Sequence, residues 1–421
     1  MSVLIHEQVD SLFRREAGKL TATLARVFGP EHLQMAEDVV QETLVKALKH
    51  WNVNGLPDYP TAWLLHVAKN QARDLLRREA RLAEKVEAIG RWIESQPVAS
   101  PEIECLDASS SLGDDRLRLM FMCCHPVLSR DAQVCLILKT LCGLSVAEIA
   151  GAYFVQESAI AQRLVRARKT LRERNVSFDI PDSADLPVRV EAVLEALYLL
   201  FNEGYSAHTG DEHLRIDLCD EAIYLVEMLA KHPVGDEPHV HALRALMLFQ
   251  ASRLPARLNG SGEILLLSEQ DRNQWDQSMI QRGFSALQCS ATGTNLTRYH
   301  LEAGIASIHA TGTSFEDTDW SAIVDLYDAL LETTGSALVA LNRAAALAMR
   351  DGPEAGLNAL DLVRRHPALS DYHLLAATEG FLYRQSGDIR RAKACYTSAL
   401  ALAPTEPERR FLQATLNSLQ V

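Results

Sequence analysis

Apolar residues recur at helical spacing along almost the whole chain, interrupted by short turns rich in Gly and Pro. No run alternates apolar and polar residues as a half-buried strand would, so the expected fold class is all-α. Leu12, Leu20, Leu24 and Val27 keep the period up to the stop signal Gly29-Pro30. Residues 33–51 form a second amphipathic helix. Val39, Val40, Leu44, Ala47, Leu48 and Trp51 make its apolar stripe, and Glu37, Asp38, Gln41, Glu42 and Lys46 lie away from it. Turn chemistry over 52–60 precedes a third helix that Thr61 can cap and that runs to about residue 93.

At 421 residues the chain has room for two to four cores of ordinary domain size. Two stretches without period set the boundaries. SQPVASPEIECLDASSSLG (95–113) reads as a linker, and NVSFDIPDSADLP (175–187) carries two prolines and three aspartates. The organisation expected is therefore a first domain over 1–94, a linker over 95–113 and a second domain over 114–175. A second linker over 176–187 then leads to a helical extension over 188–421, loop-rich at 251–275. Within the extension, Ala376, Gly380, Tyr383, Gly387, Ala392, Tyr396, Ala399 and Pro404 follow the small–large alternation of a tetratricopeptide-type (TPR) repeat over 373–406. A weaker copy starts near Leu338, with Ala345 matching Gly380 and Gly352 matching Gly387.

Charge separates the two ends of the chain. Residues 1–180 hold 23 basic and 23 acidic side chains, so the whole formal charge of −13 falls on residues 181–421. Basic residues bunch at 69–91 and again at 163–174, a distribution that fits contact with nucleic acid better than a uniform enzyme. The bland alternative is two solvated helix faces. No stretch approaches the roughly 18 apolar residues of a membrane span, and the N-terminal residues lack a signal-peptide core. Eight cysteines without an even framework of spacings point to a reducing compartment, so a cytoplasmic protein is expected.

Residues 129–174 read as a helix-turn-helix. A helix over about 131–142 ends at Gly143, and Ser145 with Glu148 makes a capping box. Phe154 and Val155 form the turn, and Gln156-Glu157-Ser158 opens a long second helix. Such a pair delivers one helix to the DNA major groove, its N-terminal residues toward base edges and its later cations toward phosphates. Ser158, Ala161, Gln162, Arg163, Arg166 and Lys169 are the expected outward set.

With these segments in place, AEDVVQETLVKALKHW (36–51), TAWLLHVAKNQARDLLRRE (61–79) and the helix-turn-helix together resemble regions 2 and 4 of the extracytoplasmic-function (ECF) sigma factors of the sigma-70 family. The tail is similar to that of a subgroup with a large TPR-like C-terminal extension, on YLLFNEGY, EQDRNQWD, EDTDWSAIVDLYDALL and ALVALNRAAALA. The resemblance implies promoter-specific initiation with core RNA polymerase and promoter DNA as partners. Asp38, Gln41, Glu42 and Lys46 would meet the clamp helices of the β′ subunit, and region 4 the β flap. Trp51, Tyr59 and Trp63 are candidate stacking aromatics for the −10 element, although both tryptophans lie on apolar stripes and suit core packing equally. Asn54 and Asn70 are candidate hydrogen-bonders there, and Lys69, Arg73, Arg77 and Arg78 candidate phosphate contacts. Ser158, Gln162, Arg163, Arg166, Arg168 and Lys169 would serve the −35 element. Ala161 departs from relatives that carry Lys or another polar residue at that position. A regulatory protein or ligand at the C-terminal domain is the further partner the tail implies. The alternative is a stand-alone helix-turn-helix regulator with a TPR-type sensor.

No catalytic residues, metal ligands or cofactor are expected. Cys123-Cys124-His125 lies in the apolar run LRLMFMCC and has no CxxC partner, so it reads as packing. LNGSGEI (258–264) lacks the Lys-Ser/Thr of a phosphate loop and reads as a turn. Glu203, Gly204 and Tyr205 read as a helix end with a Gly cap. Asp271, Asp276, Asp317 and Asp319 suggest an acidic surface able to shield the basic faces.

Overall fold

The computed structural model describes residues 2–78, 115–153, 155–181, 185–205, 214–260 and 263–419. They are helical throughout, with no strand among them and a single bridge, Leu258 to Ile264, closing the turn expected over 258–264. The proposed linker 95–113, the end of the third helix beyond residue 78 and the turn residue Phe154 lie outside the described residues. The molecule divides into two compact units, residues 1–200 and 201–421.

The first unit begins with α1 (Ser2–Phe28), α2 (Leu33–Asn54) and α3 (Pro60–Arg78). Gly29, at φ +87°, supports the break that the Gly-Pro pair announced. Phe13, Leu20, Leu24, Phe28, Val39, Val40, Trp51 and Leu64 are buried in one cluster, as their spacing requires. Leu48, placed on the stripe by its period, is 36% exposed. Helix α4 covers residues 115–123, and the run LRLMFMCC that extends one residue past it is buried except for the half-buried Arg118. Burial pushes the Cys123 thiol up to about 12 and Cys124 well above its usual range, which keeps both inert. Then come α5 (Arg130–Thr140), α6 (Val146–Ala152) and α7 (Glu157–Glu173). The capping box forms: Glu148 N donates to Ser145 Oγ at 3.1 Å, and Ser145 N donates to Glu148 Oε2 at 2.6 Å.

Helix α8 (Leu186–Tyr205) carries the division between the units, and its first part belongs to the first one. There Arg130 Nε meets Glu195 Oε2 at 2.7 Å, and Arg189 donates to the Phe121 carbonyl at 3.3 Å. Gly204 does not act as the expected left-handed cap. It stands in the last turn of α8 at a close approach, where a Cβ would lie 2.8 Å from both the Arg215 carbonyl oxygen and the Cys219 nitrogen.

The second unit continues with α9 (Ile216–Lys231), α10 (Pro238–Ala251), α11 (Gln277–Ser290), α12 (Arg298–Thr311) and α13 (Trp320–Thr334). It closes with α14 (Ala337–Asp351), α15 (Pro353–Val363), α16 (His373–Gln385), α17 (Ile389–Leu402) and α18 (Glu406–Ser418). Gly352 and Gly387 turn two successive helix pairs at φ +96° and +84°, which only glycine adopts without strain. The Tyr396 ring lies 3.1 Å from where a Gly380 Cβ would sit, so the small residue lets α16 and α17 approach. The four aspartates read as an acidic surface also serve their own turns. Asp276 accepts from Ser278 and Met279 N at the start of α11, and Asp319 from Ala322 N in α13. Asp271 accepts from Asn273 N, and Asp317 from the Thr313 and Ser314 hydroxyls. A carboxylate that caps a helix or turn satisfies backbone donors the chain leaves open there.

Candidate nucleic-acid interface

Asp38, Gln41, Glu42 and Lys46 are all exposed on one face of α2. Lys46 Nζ pairs with Glu42 Oε1 at 3.2 Å in the open, a geometry that holds little energy and releases readily to a partner. Asp38, Glu42 and Lys46 form one wall of a groove of about 460 Å³, and Gln71 and Asp74 of α3 and Arg172 of α7 contribute to the rest.

Glu37 corrects the sequence expectation. It is not on the outer face but buried, 7% exposed, and its Oε2 meets Arg168 at 2.6 Å. Burial raises its carboxyl to about 6 despite the cations Arg168 and Lys139. Arg168 is thereby turned toward α2 rather than to the open side of α7. A second ion pair, Arg26 to Asp115 at 3.3 Å, and a backbone contact at Gly18 join the same halves of the unit. A Cβ at Gly18 would lie 2.1 Å from the Leu141 carbonyl oxygen. Neither Gly18 nor Glu37 carries a local signal, since both answer to a surface more than 100 residues away.

Around the loop after α2, the aromatic candidates divide. Trp51 is 6% exposed, packed against Phe13 and Trp63 at ring separations of 5.3 and 5.5 Å. It is part of the core. Trp63 is half-buried and stacks on His50 at 5.4 Å, while Tyr59 is 45% exposed. Asn54 donates to His50, and Asn70 lies 2.9 Å from His66 Nε2 and accepts from Arg73 Nη2 at 2.9 Å. His66, Lys69, Asn70 and Arg73 thus share a helix face. His50 and His66 escaped the sequence reading, although their spacing of four from Asn54 and Asn70 was the available signal. The side chains of Arg77 and Arg78 lie outside the described residues.

On α7, Ile160, Leu164, Ala167 and Leu171 face inward and hold the helix against α5 and α6. Ser158, Gln162, Arg166 and Lys169 are exposed. Arg163 is half-buried, 3.5 Å from Asp131 Oδ2 and 5.9 Å above the Tyr153 ring. Its Nη1 also donates to Cys135 Sγ, and that hydrogen bond foremost raises its already high pKa. Among the described residues no group of His, Cys, Asp and Glu could hold a metal ion, and no helix is long and apolar enough to cross a membrane.

The first unit joins a capped helix-turn-helix, an arrangement that suits DNA, to a helix with an open, mixed-charge face that suits a protein partner. The comparisons agree. Residues 12–82 match sigma-70 region 2, residues 118–171 match sigma-70 region 4, and residues 189–291 match a family of unknown function (DUF6596). The chain is 37% identical over 402 residues to an uncharacterized protein, R00370, of Rhizobium meliloti (strain 1021), covering 92% of this chain and 90% of that one. No solved structure matches it. The chain belongs to the family of that Rhizobium protein, and its sigma-70 regions 2 and 4 support an RNA polymerase sigma factor, with core polymerase and promoter DNA as the partners those regions imply.

Proposed function

We propose that this sigma factor is of the ECF type, with its clamp-helix contact on Asp38, Gln41, Glu42 and Lys46. In this reading Tyr59, Asn54, Lys69, Asn70 and Arg73 engage the opened −10 strand. Ser158, Gln162, Arg166 and Lys169 engage the −35 duplex, with Arg163 joining on release from Asp131. Residues beyond the first unit form a TPR-like regulatory domain. The observation that supports it best is the coexistence of two exposed faces in one unit: the polar face of α2 and the N-terminal face of α7. A stand-alone helix-turn-helix regulator has no use for the first.

Promoter-directed transcription with purified core polymerase tests the reading. The full chain is expected to co-purify with core polymerase and to start transcription. Asp38→Arg with Glu42→Arg should abolish co-purification while leaving the fold intact, since both side chains are exposed. Arg166→Ala should weaken duplex binding and flatten its salt dependence by about one counterion. DNA binding without polymerase association would establish the stand-alone regulator instead. For the tail, a truncation should keep residues through 205, because α8 up to residue 200 belongs to the first unit. Loss of transcription by that truncation supports an activating tail, and a gain supports inhibition.

A further inference from the structure

The second unit holds a groove of about 470 Å³ lined by 18 residues of the 266–411 stretch. None of them is Asp, Glu, Lys or Arg, although this end of the chain carries the whole net charge. Six are Phe, Trp or Tyr: Phe315, Trp320, Tyr327, Phe381, Tyr396 and Phe411. That is a third of the lining, against 6% of the full sequence. The wall formed by the 312–319 loop and Trp320 is fixed from behind. Arg272 donates to the carbonyls of His309 and Gly312 at 2.9 and 2.5 Å and to Thr318 Oγ1 at 3.0 Å. Phe315 and His309 each stack edge-on against Trp320, at 5.2 and 5.4 Å.

The His309 imidazole stays neutral. Burial first, then the cations Arg253 and Arg272, lower its pKa to about 3. The groove therefore presents no formal charge from its own residues at any ordinary pH. A charged guest would lose its hydration there with no counter-charge in the lining, since Arg272 behind the wall is committed to the His309 and Gly312 carbonyls, and this disfavours it. An extended peptide fares little better. It brings a donor and an acceptor per residue, while beyond two tyrosine hydroxyls and the Trp320 indole the lining supplies only Ser268, His309, Asn342 and Thr378, and Thr378 already donates to the Leu374 carbonyl. The volume falls within the range of small-molecule pockets, roughly 300–1,000 Å³, and aromatic walls favour stacking or edge-on contact with another ring.

The geometry points to a binding site for an uncharged, planar aromatic small molecule in the groove between α12, α13, α14, α16, α17 and α18. The site is separate from both faces assigned to polymerase and promoter, so it stands or falls independently of the sigma reading.

Fluorescence titration of the full chain tests it with two probes of similar size. Nile red is uncharged and planar, and 1-anilinonaphthalene-8-sulfonate carries a negative charge. Nile red is expected to bind saturably at one equivalent with a blue-shifted emission, and the sulfonate at least tenfold more weakly. Ala345→Trp fills the groove from α14 and should weaken Nile red at least tenfold with an unchanged circular dichroism spectrum. Ala377→Asp, which puts a carboxylate in the lining, should do the same and carries the test if the tryptophan variant does not fold. Absence of saturable binding overturns the proposal, as does equal affinity for the sulfonate. So does Nile red binding that survives in a folded variant, or a helical peptide that binds the groove where Nile red does not.

Discussion

Two grooves of nearly equal volume, about 460 Å³ in the first unit and 470 Å³ in the second, are built from opposite chemistry. The first is walled by Glu31, Asp38, Glu42, Lys46, Asp74 and Arg172, and beside it Glu37 and Arg168 form a largely buried ion pair. The second has no charged side chain. The difference teaches what each surface can do. Charged contacts with partial solvent access exchange partners readily and respond to salt and pH. A rigid aromatic groove does neither, and its selectivity comes from excluding charge.

The largest effect that would sharpen this contrast is expected at Arg272. Arg272→Ala removes hydrogen bonds from a charged donor to two carbonyls and a hydroxyl, and should cost about 3 kcal/mol. Urea unfolding should show the loss, together with failure of the groove to bind Nile red; an unchanged midpoint would mean that the loop holds itself. Next comes Arg168→Ala, which leaves the Glu37 carboxylate buried without its nearest cation. A cost of about 3 kcal/mol is expected at pH 7, and less at pH 5, where Glu37 is largely protonated. The sign follows from the raised pKa. A carboxyl at about 6 in the folded state, against 4.5 unfolded, favours folding when protonated and loses that contribution as pH rises from 4.5 through 6. Equal losses at the two pH values would break the assignment.

A smaller change, about 2 kcal/mol by the usual cost of overpacking, is expected for Gly18→Ala. The new methyl would press on the Leu141 carbonyl, and small-angle scattering should then show the two halves of the first unit loosened. A scattering profile identical to wild type would mean that the backbone shifts at no cost. The smallest effect belongs to Asp276→Ala at the start of α11, about 1 kcal/mol. Hydrogen bonds from the Ser278 hydroxyl and the Met279 amide hold this carboxyl below its usual pKa, so its contribution is present above about pH 4 and fades as pH falls. Thermal melts at pH 7 and pH 3 should differ less in the variant than in wild type.

Much of this was legible from residue order. Ser145 and Glu148 announced their capping box, Gly352 and Gly387 their turns, and Ile160 and Leu164 the inner face of α7. Each of these is a local device whose partners lie within a few residues, or a period that needs only some apolar neighbour to bury it. Sequence reasoning was weaker where a residue's role depends on which neighbour arrives. Trp51 and Tyr59 are both aromatic and eight residues apart, yet one is core and the other open.

What the sequence determined by itself was the all-α class, the order of the two sigma regions and the helix faces available for burial. The tertiary structure decided that Glu37 turns inward to Arg168, that Gly18 admits the Leu141 carbonyl, and that Arg272 holds the wall of a groove whose aromatics are scattered over a hundred positions. Helical periodicity fixes which residues share a face, because 3.6 residues make a turn. It says nothing of the surface that face will meet, and the chemistry of both grooves depends on that meeting.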